Sequence, residues 1–194
     1  MLDKKNITGI ILVGGQSRRM GRDKGLINLH GKSFLERIIN AVQPYSSKVL
    51  LVGDQSIYEK FGVERIEDEI KNEGPIAGVY SGLLASKTKY SLVLSCDVPL
   101  INSEIIQFLI EEHDPNFDLI QLSCDERSMP LIGLYKKSCH SHLQRILNSG
   151  EKRLTEAVKG LKVKTIPLMD HQKKYVLNVN TEEDLKKIKY DLEY

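Results

Sequence analysis

Short apolar runs rich in β-branched residues alternate along this chain with longer segments whose apolar residues recur every three or four positions. The runs at 9–13, 48–52, 63–66, 91–95, 118–122, 131–135 and 163–166 predict strands. The segments 33–42, 56–61, 77–85, 103–112, 138–147 and 181–190 predict helices. In "SFLERIINAV" the residues Phe34, Leu35, Ile38, Ile39 and Val42 make one apolar stripe. "NSEIIQFLIEEH" repeats the device, with Asn102 or Ser103 as N-cap ahead of Ile105, Ile106, Leu109 and Ile110. "NTEEDLKKIKY" has Asn180 or Thr181 as its cap, acids in the first turn and lysines later, the order that suits a helix dipole.

Two of the runs, "IILV" and "LVLS", are apolar on both faces, as central parallel strands covered by helices on each side must be. The alternation therefore predicts right-handed crossovers and a three-layer α/β/α, Rossmann-like domain. "DERSMPLIGLY" breaks the rhythm, because two strands lie close together with no helix between them. A hairpin or a reversed strand is expected there, in an otherwise mostly parallel sheet. No repeat, low-complexity tract or linker interrupts the pattern, so residues 1–194 read as a single domain. In such a sheet ligands bind beyond the carboxyl ends of the central strands, which directs attention to the residues after each strand.

Composition narrows the classes. Charged residues make up 28% of the chain and the net charge is only +2, less than a nucleic-acid binder usually carries. The three cysteines are widely spaced, with no C-x-x-C and no zinc-like Cys/His spacing, so free thiols are expected. No apolar run approaches the roughly 20 residues of a membrane span. A cytoplasmic protein without membrane or nucleic-acid partners is the expectation.

The strand ends carry the chemistry. After the first strand comes "LVGGQSRRMGRDK", with Gly14 and Gly15 followed by Arg18, Arg19, Arg22 and Lys24. Glycines let backbone N–H groups converge on an anion, and this much positive charge suits a polyphosphate. The spacing is neither that of a Walker loop nor that of G-x-G-x-x-G. After the fourth strand "SCDVPLI" sets Asp97 at the sheet's carboxyl edge. A carboxylate beside bound phosphates is well placed to hold Mg²⁺. After the third strand Glu67, Asp68 and Glu69 stand in a row, and a run of this kind is more often a solvated face. "NEGPIAGVYSGL" then offers Gly74–Pro75 as a turn and Gly78 and Gly82 as packing glycines. The histidines, His30, His113, His140, His142 and His171, have no catalytic setting and are expected at the surface.

These pieces resemble a known family. "LVGGQSRRMGRDK" is similar to the L-A-G-G-x-S-x-R-M-G-x-D-K signature of the molybdenum cofactor guanylyltransferases, within the GT-A-like nucleotidyltransferases. The likeness continues in order through "IED" (66–68), "GPIAG" (74–78), "SCDVPLI" (95–101), "MPLIGLY" (129–135), "GEKRL" (150–154) and "NVNTEEDL" (178–185). It implies transfer of GMP from GTP to the phosphate of molybdopterin or molybdenum-molybdopterin, with release of pyrophosphate and with Mg²⁺ as cofactor. By the same resemblance Leu12, Val13, Gly14 and Gly15 contact the nucleotide, Lys24 binds phosphate with Arg19 beside it, Asp68 takes the guanosine and Asp97 the metal. By it too, Arg153 meets the pterin phosphate, and Asn178 and Asn180 match a late motif placed near the pterin or the metal. Other proteins of molybdenum-cofactor biosynthesis and acceptor molybdoenzymes are the partners it suggests.

Two departures stand out. Val13 replaces an alanine, and its extra methyl groups are expected to pack into the core. Val52–Gly53–Asp54 stands where the family often has an asparagine, with Asp54 the candidate substitute. The nearest rival is a cytidylyltransferase using CTP on the same pterin, but those relatives tend to carry A-A-G where this chain has Val13–Gly14–Gly15. Sugar-phosphate and isoprenoid-precursor enzymes typically place proline before the lysine, where this chain has Asp23. A non-catalytic cofactor-delivery module is the rival from another class, and the presence of both Lys24 and Asp97 speaks against it.

Overall fold

In a computed structural model of the chain, which describes residues 2–13, 23–71 and 73–193, the first apolar run becomes β1 (Ile7–Leu12) near the middle of a seven-stranded sheet. A separate two-stranded ribbon, β2 (Asn28–Leu29) and β3 (Lys32–Ser33), follows it. β1 pairs in parallel with β4 (Lys48–Val52) and with β6 (Tyr90–Ser95), while β5 (Glu64–Ile66) continues beyond β4 to one edge. On the other side β8 (Arg127–Lys136) runs antiparallel to both β6 and β7 (Leu119–Cys124), and β9 (Val163–Pro167) is parallel to β7. The order is β5-β4-β1-β6-β8-β7-β9, with β8 alone reversed. The hairpin that reverses it turns on Asp125 (φ 48°) and Glu126 (φ 63°), the paired positive values that match the twist of adjoining strands.

Helices cover both faces. α1 (Phe34–Val42) and α3 (Ser103–Glu111) pack on one side, and α2 (Pro75–Ala85), α4 (Cys139–Asn148) and α5 (Leu154–Ala157) on the other. β1 shows why its sequence is apolar throughout: Ile7 and Ile11 enter the first core and Ile10 the second, all fully buried. Val13 is buried in the first core, as its methyl groups suggested. α2 lies over β1, and a Cβ on Gly82 would stand 2.6 Å from Ile10 Cγ2, so this glycine is what lets the helix come down onto the strand.

Caps fix the helix starts. Ser33 and Glu36 form a capping box, and Asn102 Oδ1 accepts from Ile105 N at 3.0 Å. α2 starts earlier than the apolar pattern suggested, because Pro75 supplies a preset φ and has no N–H to leave unpaired. Residues 56–61 form a 3₁₀ turn, Ser56–Phe61, rather than an α-helix, ended by Gly62 at φ 66°. A short α6 (Asp170–Lys173) precedes the last element, α7 (Glu182–Glu193). Thr181 Oγ1 accepts from Asp184 N, and Asp184 Oδ2 accepts from Asn180 N and Thr181 N. Because α7 runs on to Glu193, its lysines fall mid-helix and its last turn carries no basic residue.

A third apolar cluster decides where the chain's end goes. Val179, Leu185 and Ile188 pack with Ile27, Leu29, Phe34 and Leu100. This brings the stretch before α7 against the segment after β1. No disulfide joins the three cysteines, and Cys139 is buried enough for its pKa to rise to about 12. Among the described residues no helix is long and apolar enough to cross a membrane.

Candidate active site

The carboxyl ends of β1, β4 and β6 lie side by side, and the ladder runs on past them. Val13 N donates to Val52 O at 2.9 Å and Cys96 N to Leu12 O at 3.0 Å. Leu12 is therefore in register with Ser95, two residues before Asp97. Asp97 is partly buried and its Oδ1 accepts from the Ser95 hydroxyl. The Asp97 carbonyl accepts from Val179 N at 2.8 Å, which sets Asn178 and Asn180 on either side of it.

Asn180 in turn meets the residue that follows the basic loop. Lys24 Nζ donates to Asn180 Oδ1 at 2.5 Å. Lys24 opens a 3₁₀ turn, Lys24–Leu26, capped by Asp23, whose Oδ1 accepts from Gly25 N at 2.9 Å. Asp23 Oδ2 accepts from the hydroxyl of Tyr58 at 2.5 Å. Gly14, Gly15 and Arg19, with Arg18 and Arg22, lie outside the described residues.

Of the three acids after β5, Asp68 alone turns inward. Glu67 is exposed and ion-paired with Arg65 and Lys71, and Glu69 is exposed. Asp68 Oδ1 is buried with no hydrogen-bond partner among the described residues. Burial, and secondarily the Asp54 carboxylate, hold its pKa above the ordinary value. Asp54 itself is exposed. A Cβ on Gly78 would stand 3.1 Å from Leu12 Cδ2 and 3.5 Å from Asp68 Oδ1, so Leu12 and Asp68 share one patch on α2.

Two hollows flank this line. One of about 460 Å³ is lined by Asp68, Glu69, Ser81 and Leu84. The other, about 850 Å³, runs from Asp97 and Ser95 across Arg127, Met129 and Leu131 on β8 to Arg153 and Asn178. Gly74, at φ 71° and ψ −163°, adopts a conformation open essentially to glycine alone and turns the chain into α2, whose Pro75 reaches the larger hollow. Arg153 is exposed and grips Glu151 in a two-point contact, Nε to Oε1 at 3.1 Å and Nη2 to Oε2 at 3.0 Å. That hydrogen bonding draws the Glu151 pKa down to about 2 and raises that of Arg153.

Thus Asp97, Arg153 and Asn178 border one hollow, Asp68 borders the other, and Lys24 and Asn180 join each other between the chain's two ends. The histidines take no part. His30 and His171 are exposed, but His113, His140 and His142 are partly buried rather than at the surface. His113 packs edge-on against Tyr90 with ring centres 4.6 Å apart, and burial lowers its pKa. His142 Nε2 lies 2.8 Å from the Ala157 carbonyl. Sequence reasoning assigned no role to Ser95 or Tyr58. Ser95 was detectable as a hydroxyl two residues before the strand-end acid, whereas nothing in "QSIYEKF" marks Tyr58.

Residues 9–163 match the family model of the MobA-like NTP transferase domain. A molybdenum cofactor guanylyltransferase of Polynucleobacter asymbioticus is 35% identical over 195 residues, covering 96% of this chain and 97% of the relative. A probable molybdenum cofactor guanylyltransferase of Flavobacterium johnsoniae is 29% identical, covering 97% and 99%. The crystal structure of molybdopterin-guanine dinucleotide biosynthesis protein A from Archaeoglobus fulgidus superposes with a TM-score of 0.82 at 26% identity, over 96% of this chain and 98% of that one. The α/β sheet with one reversed strand and the match over most of the chain make it a member of the MobA-like NTP transferase family.

Proposed function

We propose that this chain transfers GMP from GTP to the phosphate of molybdopterin, or of its molybdenum-loaded form, to give the guanine dinucleotide cofactor and pyrophosphate. The observation that carries the reading is the junction of first and last motifs. Lys24 binds Asn180, and the neighbouring Val179 binds the backbone of Asp97, so the tail stretch 179–180 ties the lysine after the first motif to the backbone of the mid-chain acid.

The roles follow from the chemistry. An oxygen of the pterin phosphate forms the bond to the α-phosphorus, the bond from that phosphorus to the β-bridging oxygen breaks, and pyrophosphate leaves. The nucleophile is already an anion, so no base is required. The chain has instead to hold two repelling anions in line and offset charge on the leaving group. Lys24, with Arg19, serves the pyrophosphate. Leu12, Val13, Gly14 and Gly15 support the nucleotide from the end of β1. Guanine presents two adjacent N–H donors, and Asp68 is an acceptor with an unsatisfied buried oxygen beside Leu12 and Gly78. Cytosine lacks that pair of donors, and the names of the relatives also favour GTP over CTP.

Asp97 suits Mg²⁺. No cluster of three His, Cys, Asp or Glu occurs among the described residues, and Mg²⁺ needs only one or two carboxylates beside phosphate oxygens and water. Asp97 would hold the ion, which when bound offsets negative charge on the α-phosphate. Ser95 holds one Asp97 oxygen by a hydrogen bond. The larger hollow, with Met129 and Leu131 for a flat ring and Arg153 at its rim, suits the pterin and its phosphate, and Asn178 and Asp97 both line it.

A thermal-shift panel of GTP, CTP, ATP and UTP with Mg²⁺ tests the base, since selective binding raises the melting midpoint. Incubation with GTP and molybdopterin, followed by assay of pyrophosphate and of the dinucleotide, tests the transfer. Stabilisation by CTP in preference to GTP would move the assignment to cytidylyl transfer. Absence of dinucleotide in the presence of bound GTP would leave a nucleotide-binding delivery protein.

A further inference from the structure

We propose that Tyr58 is a positioning residue for Lys24, acting through Asp23 and Gly25; the inference rests on Lys24 being the phosphate-binding cation. A lysine on a flexible stem reaches a phosphate reproducibly only if its backbone is fixed, and Lys24 directly follows the glycine- and arginine-rich segment. Tyr58 supplies the fixed point. Its side chain is fully buried, and its ring belongs to the core beneath α1. Its hydroxyl donates to Asp23 Oδ2 at 2.5 Å, the length of a charge-assisted bond. The other Asp23 oxygen accepts from Gly25 N at 2.9 Å, so one carboxylate bridges across Lys24.

The ring itself bears on the far side of the same turn. A Cβ at Gly25 would lie 3.2 Å from Tyr58 Cε1 and 3.3 Å from Asp23 Oδ1, so the residue after Lys24 is closely fitted into the clamp. The turn is completed by Leu26 N to Asp23 O at 3.2 Å and Ile27 N to Lys24 O at 3.1 Å. Lys24 is thus held at its backbone by Tyr58 through Asp23 and Gly25, and at its Nζ by Asn180. A phenylalanine at position 58 would fill the same core space. It would lack the hydroxyl that donates to Asp23, which makes that hydroxyl the part of Tyr58 that serves the clamp.

The test is a set of variants, Y58F, D23N, K24M and Y58F/K24M, titrated with GTP and separately with guanosine in the presence of Mg²⁺, together with melting curves to fix a temperature at which each is native. Y58F and D23N should each weaken GTP binding by about tenfold, as expected when one charge-assisted bond is lost. Both should leave guanosine affinity unchanged. The double variant should bind GTP no more weakly than K24M alone. A Y58F protein that binds GTP like the parent, while K24M does not, overturns the clamp and leaves the phosphate role of Lys24 standing. Losses that multiply in the double variant, or an equal loss for guanosine, show that Tyr58 acts otherwise than through Lys24 and also overturn it. A K24M protein with undiminished GTP affinity removes the reading on which the inference rests. Because Asn keeps the shape of Asp23 and leaves the Tyr58 ring in place, D23N decides the matter even where Y58F lowers stability.

Discussion

Asp68 is built at some cost to the unliganded protein, and replacing it with asparagine should make the chain more stable and less able to bind GTP. One of its oxygens is buried without a hydrogen-bond partner among the described residues, and the Asp54 carboxylate adds repulsion. Burial is the larger of the two causes raising its pKa above the ordinary 3.8. A carboxyl with a raised pKa keeps its proton in the folded state at pH values where the unfolded chain has already lost it. Folding is therefore less favoured as pH rises through the interval above 3.8, and the whole penalty is present at neutral pH. Burying a charged oxygen without a partner costs more than burying a neutral amide in its place, and because Asp68 is only partly buried, screening by water brings the difference to about 1 kcal/mol. For a chain of this size that corresponds to a rise in melting midpoint of about 2–4 °C.

Melting curves of Asp68→Asn and the parent, taken from pH 5 to pH 8, provide the measurement. The variant should melt higher at pH 8, and its advantage should shrink as the pH falls toward the acid end. Asp54→Asn should recover a smaller part of the same gain. GTP affinity should move the opposite way, by about 10- to 100-fold, because an amide nitrogen would face the N–H donors of guanine where a charged acceptor had been. A variant that melts lower than the parent at pH 8 would refute the argument, since it would show that the Asp68 carboxylate is already satisfied in the free protein.

Asp97→Ala should lower pyrophosphate release by about 10²–10³-fold while leaving the melting midpoint near that of the parent, because the Val179 bond uses the Asp97 backbone and survives the change. Normal turnover by that protein would rule out the metal role. Lys24→Ala should both weaken GTP binding and slow transfer, and unchanged values of both would show that the loop does not hold the phosphates. Gly82→Ala sets a Cβ 2.6 Å from Ile10 Cγ2. Overpacking of about 1–3 kcal/mol should outweigh the helix-propensity gain of about 1 kcal/mol, giving a lower denaturation midpoint that truncation of Ile10 partly restores. Ser33→Ala breaks the α1 capping box and should cost about 1 kcal/mol in a denaturant titration.

The parts that were legible from residues alone are those whose physics is local. β1 and β6 are apolar on both faces because helices cover both, and a strand needs nothing more distant to declare itself. The reversed β8 was visible as two strands without room for a helix, although its turn uses Asp125 and Glu126 where glycine or asparagine would have announced it. The short turn at 56–61 read as a helix because six residues fit either geometry, and its meaning, Tyr58 against Asp23, is a contact across unrelated segments. The site divides in the same way. Asp97 could be named from its place after a strand and Lys24 from the family signature, but the Val179 bond to the Asp97 backbone depends on a third apolar cluster. Val179, Leu185 and Ile188 are unremarkable as a sequence, and only their packing against Ile27, Leu29 and Phe34 draws Asn180 onto Lys24. The folding of the tail onto the ribbon is thus a precondition of the site. Replacement of Leu185 by alanine should therefore weaken nucleotide binding as well as stability, even though Leu185 lines neither hollow. A Leu185→Ala protein that loses stability yet binds GTP like the parent would show that the Lys24–Asn180 contact is a by-product of packing rather than part of the grip on phosphate.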